Sequence, residues 1–245
     1  MSRESPMIKQ DPARGQDTDA EAARLWIVIP AFNEGVVIAD VINGVRRHYP
    51  NVVLVDDCSG DETGASALEA GAIVLRHPVN LGQGAALQTG IRYALDRGAR
   101  YIVTFDADGQ HQVEDIPVMI ERQRETGADV VVGSRFLGSA KGIPPLRKAV
   151  LKMAVMFMRL SSGIPMTDAH NGFRLLTREA ASKIRIRQNR MAHASEIVEQ
   201  IGALKLSVAE APVTIIYTER SLRKGQRLGN AFNIVWDMFV ARMRK

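Results

Sequence analysis

The sequence is poor in the residues that form disulfides, zinc sites and aromatic binding surfaces. It has one cysteine, Cys58, in 245 residues, and aromatic residues make up 5% of the chain. One thiol cannot form an internal disulfide, and no Cys and His residues have the spacing of a zinc site, which favours a reducing compartment. The aromatic residues are not interleaved with the basic ones, so no nucleic-acid partner is expected.

Long apolar runs are also missing. The most apolar stretch, residues 149–160, contains Lys152 and Arg159, so we expect a core or interfacial helix there and not a membrane span. Charged residues stand where a secretory signal would have its apolar core. We therefore expect a cytoplasmic location, with peripheral contact at the inner face of the membrane left open.

Basic residues are concentrated towards the end of the chain. The formal net charge is +5, and residues 185–245 hold 11 Lys and Arg against 5 Asp and Glu, so the surplus lies in this C-terminal quarter. A basic surface suits partners with phosphate groups, such as a nucleotide, a lipid phosphate or an anionic membrane. A solvated basic surface would give the same pattern.

Strands and helices are predicted to alternate after a polar N-terminal tail, residues 1–23. The predicted strands are residues 25–30, 51–56, 72–76, 101–105 and 129–133. The predicted helices are residues 36–47, 62–70, 84–97 and 116–125. This alternation is typical of βαβ units, so we expect one α/β domain over residues 24–245, with a mostly parallel sheet and helices on both faces.

Polar residues gather where the predicted strands end. The polar segments are residues 30–34, 56–61, 77–84, 106–111 and 133–135. Ligands of such sheets bind outside the carboxyl ends of the strands. The convergence of five polar segments on this edge predicts a nucleotide site.

Two carboxylates, Asp106 and Asp108, directly follow the fourth strand. Beyond the last ladder hydrogen bond the chain can curl, so that both face one point. Close carboxylates repel each other unless a cation lies between them, and a hard divalent ion that also binds substrate phosphates meets that need. A turn leading into a helix would use the same residue types, and that alternative stays open here.

Other nucleotide chemistries fit less well. No Gly-x-x-x-x-Gly-Lys-Ser/Thr pattern occurs, and Gly82-Gln83-Gly84 lacks the third glycine of a dinucleotide fingerprint because Leu87 stands there. These observations exclude hydride transfer. The two glycines predict either close approach of an anion to a helix N-terminus or a tight loop entering that helix.

Five segments, in this order, resemble family 2 glycosyltransferases of the GT-A fold, and among them the polyprenyl-phosphate sugar transferases of the dolichol-phosphate mannose synthase type. The segments are residues 28–34, 55–61, 80–84, 105–111 and 132–135. Residues 167–174 and the basic residues from Arg220 to Lys224 are similar to later parts of the same group. Gln83 departs from the pattern because many relatives carry Lys there, and Cys58 replaces a usual Gly.

The resemblance implies inverting transfer of a sugar from a UDP- or GDP-linked donor, assisted by Mg²⁺ or Mn²⁺. The implied metal ligands are Asp106, Asp108 and Gln110. The implied donor-binding residues are Pro30, Ala31, Asn33, Glu34, Asp57, Gln83, Asp106, Arg135, Arg220 and Lys224. Residues 24–135 would form a nucleotide-binding half, and residues 136–245 an acceptor-side half ending in an amphipathic helix.

Polyprenyl phosphate is the leading acceptor that the resemblance implies, and a saccharide or another hydroxyl is the alternative. A hydroxyl acceptor needs a base, for which Asp168 and Glu196, near a predicted helix start, are the candidates, whereas a phosphate is already ionised. A nucleotidyltransferase and a non-catalytic nucleotide-sugar sensor are the readings from other classes. A membrane contact through residues 228–245 and a homo-oligomer are both compatible with the sequence.

Overall fold

The computed structural model describes residues 24–141, 166–168, 171–189 and 192–217. Several predicted features lie outside these residues. They are the N-terminal tail, the apolar run at residues 149–160, Arg220, Lys224 and the amphipathic helix at residues 228–245.

A seven-stranded sheet organises the described residues. Its strands are β1 (Leu25–Ala31), β2 (Asn51–Asp56), β3 (Ile73–Arg76), β4 (Tyr101–Thr104), β5 (Val130–Lys141), β6 (Arg174–Thr177) and β7 (Val208–Ile216). They lie in the order β3-β2-β1-β4-β6-β5-β7. All paired neighbours are parallel except β6, which is antiparallel to both β4 and β5. The predicted mostly parallel α/β sheet is therefore confirmed.

Helices cover both faces of the sheet. They are α1 (Ile38–Arg46), α2 (Thr63–Glu69), α3 (Gln83–Asp96), α4 (Ile116–Thr126), α5 (Arg178–Lys183) and α6 (His193–Ala203), with a 3₁₀ turn at Val113–Asp115 before α4. None of the helices in the described part of the chain has the length and apolarity to cross a bilayer.

Alternation along β1 shows how the two cores arise. Leu25, Ile27 and Ile29 face one side and pack in a cluster with residues of α1 and α4. Trp26 and Val28 face the other side and pack with residues of α3 and α6. Because both faces are buried, the central strands have the continuous apolar sequences from which they were predicted.

Strand β5 runs further than predicted, to Lys141 rather than residue 133. Its pairing with β7 is interrupted between Ser134 and Ser139, where four residues of β5 lie opposite the single residue Val213. A Cβ atom at Gly138 would overlap the backbone of Val213, so glycine is required at this close crossing. Because of the bulge, Arg135 is not paired in the regular ladder. It lies at the edge of the sheet where β4, β1 and β2 also have their carboxyl ends.

Candidate active site

The loops that follow β1 and β2 are bound to each other at the carboxyl edge of the sheet. Asn33 connects the two loops, since its backbone N–H donates to Ser59 Oγ (3.0 Å) and its side-chain Oδ1 accepts from the Gly60 N–H (2.9 Å). The Glu34 N–H donates to Thr63 Oγ1 (2.8 Å). Pro30 and Ala31, the other predicted donor-binding residues here, are buried at the end of β1. The contacts build a rigid rim at the predicted nucleoside end.

Cys58 occupies a strained backbone position in this rim. Its φ angle is 64°, in the left-handed region that favours glycine. Its thiol contacts the carbonyl of Pro78 (3.6 Å) on the neighbouring loop. The glycine that the family resemblance implies at this position is therefore explained by the backbone conformation.

Asp57 shapes the loop between β3 and α3. The carboxylate is buried and lies 2.8 Å from His77 Nδ1, and it accepts from the N–H groups of Leu81 (2.9 Å) and Gly82 (2.6 Å). Gly82 has a φ of 98°, which only glycine adopts easily. These hydrogen bonds use both oxygens of Asp57, and its implied contact with the base or ribose stays a prediction.

The start of α3 packs against the protein's own backbone. The Gly84 N–H donates to the carbonyl of Asn189 (2.8 Å), and a Cβ atom at Gly84 would overlap the carbonyl oxygen of Gln188. Two alternatives were predicted for Gly82 and Gly84, an anion close to the helix N-terminus or a tight loop entering the helix. The contacts of Gly84 agree with the tight loop. The amide that would have faced an anion is already occupied.

Glu196, the second candidate base, holds the segment that covers this helix start. Its carboxylate accepts from the N–H groups of Arg187 (2.9 Å) and Gln188 (2.8 Å). It also accepts from the side chain of Gln200 (3.2 Å). The structure thus gives Glu196 a role in fixing the backbone of residues 187–188.

Asp106 lies just beyond β4 in a cleft between polar and aromatic side chains. About 30% of its side chain is exposed. Gln83 Nε2 donates to Asp106 Oδ1 (3.2 Å) from the first turn of α3. On another side His111 is stacked on Phe173, with ring centroids 4.7 Å apart.

His111 is a neutral partner of Asp106. Its Nδ1 accepts from the Asp106 N–H (3.0 Å), which places the ring proton on Nε2, 3.4 Å from Asp106 Oδ2. Burial lowers the pKa of His111 to about 4. The ring therefore supports the loop after β4 as a hydrogen-bonding group and adds no charge.

Asp108 lies close enough to Asp106 for the two carboxylates to repel each other. Burial, together with the charges of Asp106 and Glu34, raises the pKa of Asp108 to about 6, against the opposing effect of the Gln110 N–H hydrogen bond to Asp108 Oδ1 (3.0 Å). Burial also raises the pKa of Asp106, against the charges of Arg174 and Arg135. Such a pair of hard oxygen donors fits a divalent cation.

The rest of the coordination sphere would come from other oxygens. Among residues 24–141, 166–168, 171–189 and 192–217, no group of three or more His, Cys, Asp and Glu side chains is arranged to hold a metal. The two carboxylates would leave positions for Gln110, water or substrate phosphates, as is usual for Mg²⁺.

Arg135 is fixed from two sides in the β5 bulge. Its Nε donates to Asp168 Oδ2 (2.6 Å), which also accepts from the Arg135 N–H (3.1 Å). Its Nη1 donates to the Tyr217 hydroxyl. Asp168 is 1% exposed, and its own backbone N–H is bound by Glu210 (3.1 Å). The structure thus makes Asp168 the partner of Arg135.

Arg174 is a site residue that the sequence-based selection missed. It is 1% exposed, at the start of β6, directly opposite Thr104 in the ladder. Burial lowers its pKa to about 10, while the carboxylates of Asp106 and Asp168 raise it. The available signal was the Gly172-Phe173-Arg174 similarity to the family, since a charged residue at the start of a buried strand needs a partner.

Residues 26–185 match the family model described as glycosyl transferase family 2. The chain belongs to this family. It is 31% identical, over 90% of its length and 97% of the relative's, to a UDP-N-acetylglucosamine–dolichyl-phosphate N-acetylglucosaminyltransferase of Methanococcus voltae. It is 30% identical, over 94% and 88% of the two chains, to a polyprenol monophosphomannose synthase of Mycolicibacterium smegmatis. As a family 2 member the chain is a glycosyltransferase.

The family fold is confirmed by similarity to solved structures. Glucosyl-3-phosphoglycerate synthase of Mycobacterium tuberculosis, crystallised with Mn²⁺ and UDP-glucose, superposes with a TM-score of 0.70 at 19% identity, covering 98% of this chain and 84% of that chain. The predicted GT-A fold is therefore correct. In this family 2 protein the fold brings together Gln83, Asp106, Asp108, Arg135 and Asp168.

Proposed function

We propose that the protein transfers a sugar, with inversion, from a nucleoside diphosphate sugar to a polyprenyl-phosphate-type acceptor. The donor side is supported by the carboxylate pair Asp106 and Asp108 at the carboxyl edge of a GT-A sheet. Arg135 and Arg174 add two fixed positive charges near Asp106. This arrangement suits a phosphorylated leaving group, whose negative charge grows as the sugar departs.

A divalent ion would be held by Asp106 and Asp108, with Gln110 as the third protein oxygen. When bound, Mg²⁺ or Mn²⁺ supplies positive charge that stabilises the departing nucleoside diphosphate. Gln83 orients Asp106 through its 3.2 Å hydrogen bond. The 3.0 Å bond from the Gln110 N–H orients Asp108. Both carboxylates are therefore held in place before donor binds.

The phosphate acceptor is favoured over a hydroxyl because both candidate bases already bind other groups. Oδ2 of the buried Asp168 binds Arg135, while its Oδ1 has no hydrogen-bond partner among the described residues, and Glu196 is bound to the backbone of residues 187–188. A hydroxyl nucleophile needs a base within hydrogen-bond reach, whereas an ionised phosphate needs only positioning. The engagement of Asp168 by Arg135 is the observation that carries this part of the proposal.

The two named relatives support the same acceptor class. One acts on dolichyl phosphate and the other makes a polyprenol monophosphomannose. Their sugars differ, N-acetylglucosamine in one and mannose in the other, so the sugar of this protein is left to experiment. A lipid acceptor would bring the chain to a membrane surface.

The test compares a short polyprenyl phosphate with the corresponding polyprenol. Labelled UDP- and GDP-linked sugars are supplied with Mn²⁺, and the label extracted with lipid is measured. We expect transfer to the phosphate alone, and loss of transfer with a chelator or in Asp108→Asn. The matched control is Asp96→Asn, the same change at an exposed position at the end of α3. Transfer to polyprenol, or transfer to neither lipid, would overturn the acceptor proposal.

A further inference from the structure

Gly172 lies directly against the carboxylate of Asp106. A Cβ atom built at Gly172 would come within 2.7 Å of Asp106 Oδ2 and 2.9 Å of Oδ1. Both distances are shorter than ordinary van der Waals contact between carbon and oxygen. The backbone of Gly172 is outside the left-handed region. The need for glycine at this position therefore comes from the carboxylate and not from the chain's conformation.

The backbone of Gly172 is held so that it cannot easily retreat. Its carbonyl accepts from Thr104 Oγ1 (2.5 Å), and the same hydroxyl accepts from the Arg174 N–H (3.2 Å). On the neighbouring strand, the Gly133 N–H donates to the carbonyl of Phe173 (2.9 Å). Residues 172–174 are thus fixed to β4 on one side and to β5 on the other.

Two further side chains contact Asp106. His111 accepts from the Asp106 N–H and places Nε2 3.4 Å from Oδ2, while its ring stacks on Phe173. Gln83 donates to Oδ1 at 3.2 Å. With His111 and Gln83 in place, an added methyl group at Gly172 would displace the carboxylate from its present position.

We propose that Gly172 is a positioning residue for Asp106, and that the absence of a side chain at position 172 leaves room for the orientation in which the Asp106 carboxylate contacts His111 and Gln83. The proposal rests on the proposed function, in which the carboxylates of Asp106 and Asp108 bind the metal. The same segment reaches Asp168, whose carbonyl accepts from the Asn171 N–H (3.3 Å).

The first experiment measures Mn²⁺ binding by electron paramagnetic resonance, with UDP and with GDP, in the wild type and Gly172→Ala. We expect the affinity for Mn²⁺ to fall about 10- to 100-fold, the usual effect of disturbing a group that orients a metal ligand. Gly44→Ala in α1 is the matched control, because the nearest atom to its Cβ is Val113 Cγ2 at 4.0 Å. Unchanged affinity in folded Gly172→Ala would overturn the proposal.

The second experiment asks whether Gly172 acts through Asp106. We expect Gly172→Ala to lower the midpoint of denaturant unfolding in the presence of chelator. Asp106→Ala removes the carboxylate, so adding Gly172→Ala to that variant should cause no further decrease. An equal decrease in both backgrounds would overturn the proposal, and this comparison remains informative when Gly172→Ala alone folds poorly.

Failure of the proposed function and failure of the positioning role of Gly172 would give different results. If the wild type binds no Mn²⁺ with either nucleotide, the proposed metal-assisted function fails, whereas the unfolding comparison still decides whether Gly172 packs against Asp106. If the wild type binds Mn²⁺ and Gly172→Ala binds it equally well, the function stands and the positioning role of Gly172 fails.

Discussion

Replacing Asp168 with Asn distinguishes two roles for this residue, that of a catalytic base and that of a group that holds Arg135. Asp168 Oδ2 accepts from both the backbone N–H and the Nε of Arg135. The side-chain oxygen of Asn can occupy that position and accept both hydrogen bonds. The substitution therefore keeps the shape and the contacts while it removes the negative charge and all capacity to act as a base.

The expected loss of stability follows from the burial of the pair. The side chains of Arg135 and Asp168 are 10% and 1% exposed, so solvent screens their attraction weakly. Because a hydrogen bond to a charged group contributes about 1.5–3 kcal/mol, weakening the pair to a neutral acceptor should lower the free energy of unfolding by about 1–2 kcal/mol. Asp168→Ala leaves the guanidinium without its carboxylate and should cost about 3–5 kcal/mol.

The assay measures both quantities on the same preparations. Urea unfolding gives the free energy of unfolding, and sugar transfer to polyprenyl phosphate at varied donor concentration gives kcat and the KM for the nucleotide sugar. We expect Asp168→Asn to retain kcat within about tenfold and to raise the KM for the nucleotide sugar, since Arg135 is less firmly oriented. A variant as stable as the wild type whose kcat falls about 10²- to 10⁴-fold would identify Asp168 as a base and refute the reasoning.

Two further predictions concern Tyr49 and Glu196, which lie outside the carboxylate pair. Burial raises the pKa of Tyr49 to about 12 from 10.0, so between these pH values the unfolded chain loses the phenol proton while the folded chain keeps it. The free energy of unfolding of the wild type should therefore fall by roughly 2–3 kcal/mol relative to Tyr49→Phe between pH 9 and 12; parallel pH profiles from urea titrations would contradict this. Glu196→Ala removes the acceptor of the Arg187 and Gln188 amides, so we expect hydrogen exchange at those amides and at Gly84 to be about tenfold faster. Gln200→Ala, a change one turn away on the same helix, is the comparison variant. Unchanged protection of the Gly84 amide in Glu196→Ala would show that Glu196 does not hold residues 187–188 in place.

The first half of the fold was predictable because its strands are buried on both faces. Such strands have uninterrupted apolar sequences, and the helices between them have clear periodicity. The later strands were missed or cut short for reasons that the structure explains. Strand β7 contains Pro212, which sequence patterns associate with loops and which is tolerated here because β7 is at the edge of the sheet. The Ser, Arg and Gly residues of the β5 bulge likewise indicated an end to that strand.

The candidate site was predictable where its residues follow parallel strands. Asp106 and Asp108 were identified because they follow a strand whose carboxyl end shares an edge with its parallel neighbours, whereas the role of Arg135 was implied by the family resemblance. The antiparallel strand β6, inserted between β4 and β5, has no local signal of its position. For that reason neither the burial of Arg174 nor the contact of Gly172 with Asp106 could be inferred from spacing. The partner of Asp168 is 33 residues away in sequence, beyond the reach of any local pattern.

The charge balance of the described site explains why we expect donor binding to require a metal ion. The four carboxylates are Glu34, Asp106, Asp108 and Asp168, and the two guanidinium groups are Arg135 and Arg174. A nucleoside diphosphate would add further negative charge to a site where the carboxylates already outnumber these cations. Gln83 orients Asp106 but contributes no charge. Since Arg135 is already paired with Asp168, we infer that a divalent ion between Asp106 and Asp108 supplies most of the compensation that the donor requires. Removal of the ion should therefore abolish donor binding before it disturbs the fold.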